Sequence, residues 1–266
     1  MKADVLKNRW ALVTGASSGL GADFARILAS TGCHLILVAR RQGRLEALKK
    51  EINADFDVSV KVIPMDLSLP ESSQKLYDQI KEVGIVVDVL INNAGFGIYG
   101  EFLDIDWEHT HQMLQLNMIT VAHLTWLFAQ DMASRNFGYI LHIASNGAFQ
   151  PSPLYAAYSA SKSFVLSFSE ALNYELRGTN VKCTALSPGI TVTEFHKVSG
   201  QKEGSLYYRL TKMDSMTVAR MGIEALLAGR PSLVPNWMVS VMAWSNRLVP
   251  RRLSTAMAAW LMRSQS

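Results

Sequence analysis

The chain has 266 residues, 49% of them apolar, and a formal net charge of +4 from 26 Lys plus Arg against 22 Asp plus Glu. That apolar content excludes a disordered chain, and the length suits one α/β domain with a full core. Cys33 and Cys183 stand far apart with no CxxC spacing, which excludes a disulfide framework and gives no support for a zinc site.

Short β-branched runs alternate with longer helical patterns along the chain. The opening MKADVLKNRW is broken by Asp4, Lys7 and Arg9, so it lacks the apolar run of a signal peptide. No window approaches the roughly 18 apolar residues of a membrane span, and a soluble cytoplasmic protein is expected. Trp10–Thr14 reads as a strand, followed by a glycine-rich turn and a helix over Leu20–Ser30. Leu35–Ala39 is the next strand, with a charged helix through Arg44–Asn53. Val58–Ile63 precedes a helix near Ser72–Val83, and Val87–Ile91 precedes a loop. A helix from Trp107 to Arg135 leads to the strand Tyr139–Ile143. A second long helix, Ala156–Arg177, leads to Val181–Leu186. Strands apolar on both faces, alternating with helices, predict a doubly wound parallel α/β sheet with right-handed crossovers.

The turn after the first strand reads Thr14-Gly15-Ala16-Ser17-Ser18-Gly19-Leu20-Gly21. Between a strand and a helix, glycines let the backbone approach a pyrophosphate, and the helix N-terminus attracts its charge. The spacing is GxxxGxG rather than GxGxxG. An acidic residue near the end of the second strand would hold a ribose 2′-hydroxyl, but positions 38–45 (VARRQGRL) contain none. Arg40 and Arg41 instead suit a 2′-phosphate, whose geometry matches a guanidinium fork. NADP(H) is therefore favoured over NAD(H), with Arg40 ahead of Arg41. A solvated basic helix start is the alternative, although it opposes the macrodipole.

Tyr158 and Lys162 stand at i and i+4 on one helix face. A phenol is a poor acid or base at neutral pH, and a nearby ammonium brings its pKa toward the working range. Ser145 follows the strand before that helix, where ligands of such sheets bind, and its hydroxyl can donate to a carbonyl oxygen gaining negative charge. Asn92-Asn93-Ala94-Gly95 ends another strand, with small residues that allow close approach of a cofactor. The six histidines (34, 109, 111, 123, 142 and 196) show no metal spacing and read as structural.

Taken together, TGASSGLG (14–21), Asp66-Leu67, NNAG (92–95), Asn117, Ser145, YSASK (158–162) and Pro188-Gly189 resemble the classical short-chain dehydrogenase/reductase family, over at least residues 9–195. NNAGFGIYGEF and PGITVTEF look like a bacterial subgroup of undefined substrate. The resemblance implies a single-domain Rossmann-type fold of about seven strands in the order 3-2-1-4-5-6-7. It also implies an NADP(H)-dependent oxidoreductase interconverting a carbonyl and a secondary alcohol. On this resemblance Tyr158 is the general acid/base, Lys162 binds the nicotinamide ribose and lowers the Tyr158 pKa, and Ser145 orients the carbonyl. Asn117 bends its helix to hold a water of the proton relay. Gly15, Ser17, Ser18, Gly19, Leu20 and Gly21 would meet the pyrophosphate. Asp66 and Leu67 would meet the adenine, Asn93, Ala94 and Gly95 the adenosine side, and Pro188, Gly189 and Thr191 the nicotinamide. Ser145, Gly147, Tyr155 and Phe195 would contact substrate, beneath a lid near residues 190–216. A cofactor-binding sensor without turnover is the alternative from another class.

The charge surplus belongs to the tail. Residues 1–224 carry 21 basic and 22 acidic side chains, whereas residues 225–266 carry five arginines (230, 247, 251, 252 and 263) and no acid. Trp237, Val241, Trp244 and Leu248 follow helical spacing, as do Leu253, Met257 and Trp260 with Leu261. The domain is expected to run over residues 1–235, with residues 236–266 an amphipathic extension. That extension packs over the substrate pocket, joins a homodimer or homotetramer, or lies on a membrane surface. Adaptable Met and Trp near a pocket favour a lipophilic substrate. With a near-neutral body, no nucleic-acid partner is expected.

Overall fold

The apolar runs become strands buried from both sides: β1 (Trp10–Thr14), β2 (His34–Ala39), β3 (Val60–Pro64), β4 (Val87–Asn92), β5 (Gly138–Ile143), β6 (Val181–Leu186) and β7 (Ser232–Leu233). The computed structural model describes residues 3–189, 212–246 and 248–263. All neighbouring strands pair in parallel, in the order β3-β2-β1-β4-β5-β6-β7. This is the expected Rossmann-type sheet. The two-residue β7, too short to stand out as an apolar run, completes it beside Ala185 and Leu186.

Helices α1 (Gly19–Ser30), α2 (Gln42–Asp55), α3 (Ser72–Glu82), α4 (Trp107–Leu114), α5 (Val121–Ser134), α6 (Ala156–Glu175), α7 (Ser215–Leu227), α8 (Trp237–Ser245) and α9 (Arg251–Arg263) surround the sheet. Successive residues of a strand point to opposite faces, and β2 shows the consequence. Leu35 and Leu37 join Phe24, Leu28, Val218 and Ile223 in one core layer. Ile36 and Val38 join Leu76, Ile80, Leu124 and Phe128 in the other.

The stretch expected as one helix from Trp107 to Arg135 is interrupted by a π-helical turn, Gln115–Thr120, joining α4 to α5. Such turns insert a residue into the helical ladder and redirect side chains, often at functional sites. Asn117 sits inside this one and is fully buried.

Both cysteines are buried and free, and burial pushes each thiol up to about 12. His142 is fully buried, its Nε2 2.8 Å from Thr125 Oγ1. Burial lowers its pKa to about 3, so the ring is neutral. His34 Nδ1 accepts from the Ser59 amide, while His109 and His111 stack on Phe96 and Trp107.

Candidate active site

The carboxyl ends of β1 and β4 lie side by side at the point where strand order reverses, the usual ligand crevice of an open α/β sheet. Thr14 ties the two ends together. Its Oγ1 donates to Ile91 O at 3.1 Å and accepts from the amides of Asn93 and Ala94, each at 3.0 Å. Asn93, expected to line the adenosine side, spends its side-chain amide on the Thr14 carbonyl at 2.9 Å and the Gly15 carbonyl at 3.3 Å. Its side chain therefore braces the glycine-rich turn.

A Cβ on Gly21 would overlap the Gly15 carbonyl and stand 2.6 Å from Asn93 Nδ2. Only glycine permits this closeness. Ser18 occupies the N-cap position of α1 without capping it through its side chain. The first amides of the helix can therefore serve an anionic ligand.

The two arginines divide. Arg41 donates through Nη2 to Ser17 Oγ at 2.9 Å and Ser18 Oγ at 2.7 Å, holding its guanidinium against the turn. The Arg40 side chain is 71% exposed and lies 3.7 Å from Asp66. Arg41, rather than the favoured Arg40, is thus the arginine held against the glycine-rich turn. Asp66 Oδ1 accepts from the amide and hydroxyl of Ser68, fixing the turn after β3. Leu67 and Leu20 turn their side chains into the core. The Leu67 side chain is buried in the core and its carbonyl accepts from Thr120 Oγ1, while Leu20 packs against the α1-side core. Both have chiefly backbone to offer a ligand. Beside the turn, a cavity of about 480 Å³ between α1 and α2 is lined by Ser17, Ser18, Gly19, Arg44 and their neighbours. It lies on the glycine-rich-turn side, and neither Ser145 nor Tyr158 lines it.

The chemical groups meet beyond β5. Ser145 leaves that strand and starts the 3-10 turn Asn146–Phe149, its Oγ accepting the Gly147 amide at 3.1 Å and donating to Asn146 Oδ1. The same hydroxyl hydrogen-bonds Tyr158 on α6. Lys162, one turn along α6, is buried, donates to Ile143 O at 2.8 Å, and holds Nζ 5.9 Å from the centre of the Tyr158 ring. Ser145, Tyr158 and Lys162 are thus in one place, as their order in the chain implied.

Burial dominates the ionisation of this group. It pushes Tyr158 up to about 12; the Ser145 hydrogen bond works against the rise and Tyr155 adds to it. Burial likewise brings Lys162 down to about 8.

Asn117 is held at three points. Its Nδ2 donates to Phe96 O at 3.0 Å and Ser161 Oγ at 3.1 Å, and its Oδ1 accepts the Phe96 amide at 3.2 Å. The π turn aims it at this loop, and Gly95 lies against both Asn117 and Lys162. Tyr155 is buried, its ring 5.7 Å from Tyr158 and 5.2 Å from Tyr99. Pro188 O accepts the Asn146 amide, which brings Pro188-Gly189 alongside the Ser145 turn. Thr191, Phe195, His196 and most of the lid near 190–216 lie outside the described residues. Sequence reading missed Thr14, Ser161, Phe96 and Tyr99. All four stood in the quoted motifs, Thr14 in TGASSGLG, Ser161 in YSASK and Phe96 and Tyr99 in NNAGFGIYGEF, but only their contacts give them a role.

Residues 9–204 match the family described as short chain dehydrogenase. The chain is 31% identical over 245 residues to a very-long-chain 3-oxoacyl-CoA reductase of Pyrenophora tritici-repentis, covering 90% of this chain and 71% of the relative. It is 32% identical over 241 residues to 17-beta-hydroxysteroid dehydrogenase type 3 of Homo sapiens, covering 86% and 76%. Among solved structures, a short-chain dehydrogenase from Sphingobium yanoikuyae in complex with NADPH superposes with a TM-score of 0.80 at 27% identity, covering 90% and 95%. These two relatives are fungal and human, so the bacterial subgroup suggested by NNAGFGIYGEF and PGITVTEF draws no support from them.

Proposed function

The chain belongs to the short-chain dehydrogenase/reductase family of oxidoreductases, and within it we propose an NADP(H)-dependent enzyme that interconverts a lipophilic ketone and its secondary alcohol. The observation that carries this reading is the meeting of Ser145, Tyr158 and Lys162 at the carboxyl end of β5, two strands from the glycine-rich turn.

The turn fits a dinucleotide: the crowding at Gly21 leaves backbone in place of side chain, and no side chain of its N-cap residue occupies the first amides of α1. Arg41, with Ser17 and Ser18, would hold the 2′-phosphate, and Lys162 the nicotinamide ribose. Bound NADP(H) supplies the hydride. The chain's own residues supply the proton and the geometry. The Ser145 hydroxyl, its oxygen held by the Gly147 amide, turns its proton from Asn146 Oδ1 to the substrate oxygen as negative charge grows there. Tyr158 hands its proton to that oxygen in reduction and takes it back in oxidation. A phenol raised to about 12 is protonated at neutral pH, the form reduction needs. Asn117 acts as a positioning residue, fixing the Phe96 loop against α6.

The Tyr99–Tyr155 pair beside Tyr158 favours an apolar substrate. The fungal and human relatives carry names of enzymes for a very-long-chain acyl ketone and a steroid, both lipophilic. The test is NADPH oxidation against 3-oxoacyl thioesters, steroid ketones and short polar ketones. Tyr158→Phe should then lower kcat on the best substrate by roughly 10²- to 10⁴-fold, while NADPH still binds by fluorescence titration. Turnover unchanged in that variant would end the assignment of Tyr158.

A further inference from the structure

The two C-terminal helices turn their large apolar side chains outward. Trp237, Val241 and Trp244 on α8, Leu248 after it, and Leu253, Met257 and Trp260 on α9 are each 53–73% exposed. What these helices bury is smaller: Val239, Ser254 and Ala258. Of the three alternatives for this stripe, the exposure favours a contact outside the domain over packing on the pocket. The helices are fastened to the body through polar contacts. Asn246 Nδ2 donates to Gln150 Oε1 at 2.9 Å, and Ser254 Oγ donates to Asn246 Oδ1 at 2.8 Å. Gln150 follows directly on the turn that starts at Ser145, so the helices are anchored beside the candidate site.

Charge narrows the choice of partner. Residues 225–266 hold five arginines and no acid, and Arg251 and Arg252 are exposed at the start of α9 beside Leu253. A two-fold contact with a second copy sets a patch against itself. Here it would bring arginine toward arginine with no carboxylate in the segment to answer, and like-charge contacts penalise association. An anionic lipid surface answers both features at once. Indoles settle at the headgroup level, aliphatic side chains enter below them, and guanidiniums meet the phosphates. No helix among the described residues is long and apolar enough to cross a membrane, which leaves docking in the interface.

We infer that α8 and α9 dock the protein on anionic lipid surfaces through Trp237, Trp244 and Trp260 together with Arg251 and Arg252. Lipid binding is read separately from turnover, so this inference and the proposed reaction can fail independently. The full chain would be sedimented with phosphatidylcholine vesicles, with and without phosphatidylglycerol. Wild-type protein should pellet with the anionic vesicles, stay largely in solution with the neutral ones, and show a blue shift of tryptophan emission on binding. The triple variant Trp237→Ala/Trp244→Ala/Trp260→Ala and the pair Arg251→Glu/Arg252→Glu should each weaken binding by roughly tenfold or more. Circular dichroism and an unchanged melting temperature would verify their folding. Wild-type protein left in solution with both vesicle types, or variants that bind like wild type, would overturn the inference. So would a dimer in light scattering that the tryptophan variant splits while no vesicle binding occurs, which would identify a second copy as the occupant.

Discussion

Helices α1 and α9 both carry large residues at helical spacing, yet they point them in opposite directions. In α1, Phe24 and Leu28 are fully buried against the sheet. In α9, Leu253, Met257 and Trp260 stay exposed while Ser254 and Ala258 face the body. The spacing of an amphipathic helix identifies a stripe but not which side of it meets protein. For α1, strands of apolar residues lie on either side of its connections and leave nowhere else for the stripe to go. For α9, small residues permit a close approach, and the Ser254–Asn246–Gln150 hydrogen bonds fix that side inward.

Truncation breaks or sustains this contrast most sharply. Phe24→Ala should cost about 3–5 kcal/mol of unfolding free energy, the range for aromatic truncation in a packed core, read by urea denaturation. A loss below about 1 kcal/mol would show that α1 is not packed as described. Arg41→Ala should come next, raising KM for NADPH roughly 10- to 100-fold, as expected for lost hydrogen bonds to a charged group. KM for NADH should stay near its wild-type value, and Arg40→Ala should have the smaller effect. The reverse ranking would return the 2′-phosphate to Arg40.

A smaller effect is expected from pH. The unfolded chain takes up a proton at His142 near its ordinary pKa of 6.5, while the buried native ring stays neutral down to about 3. The unfolded state therefore binds more protons across that window, and stability falls as pH drops through it. Melting temperatures measured across the window should fall more steeply for the wild type than for His142→Gln. Smallest of all, Trp237→Ala should shift stability by no more than about 0.5 kcal/mol, as for an exposed side chain. A core-sized loss there would mean that Trp237 is covered, and the contrast between the two regions would collapse.

Much of the fold was legible because its strands are unbroken apolar runs. Trp10–Thr14 and Val181–Leu186 coincide residue for residue with β1 and β6. The π turn at Gln115–Thr120 was not legible, since one extra residue in a helical ladder leaves the apolar spacing nearly unchanged. The same holds for Arg40 and Arg41. Neighbours in sequence carry the same charge, and only the direction each side chain takes from the end of β2 separates them.

The sequence by itself determined the parallel sheet, the glycine-rich turn and the placing of Ser145 at a strand end with Tyr158 and Lys162 one helical turn apart, because these rest on residue type and local spacing. Tertiary structure alone decided which arginine reaches the turn, that Asn93 braces Thr14, that burial raises the Tyr158 phenol, and that the tail's tryptophans face outward. Each of those depends on what stands within a few ångströms across the fold, and desolvation and hydrogen bonding are set by such neighbours rather than by position along the chain.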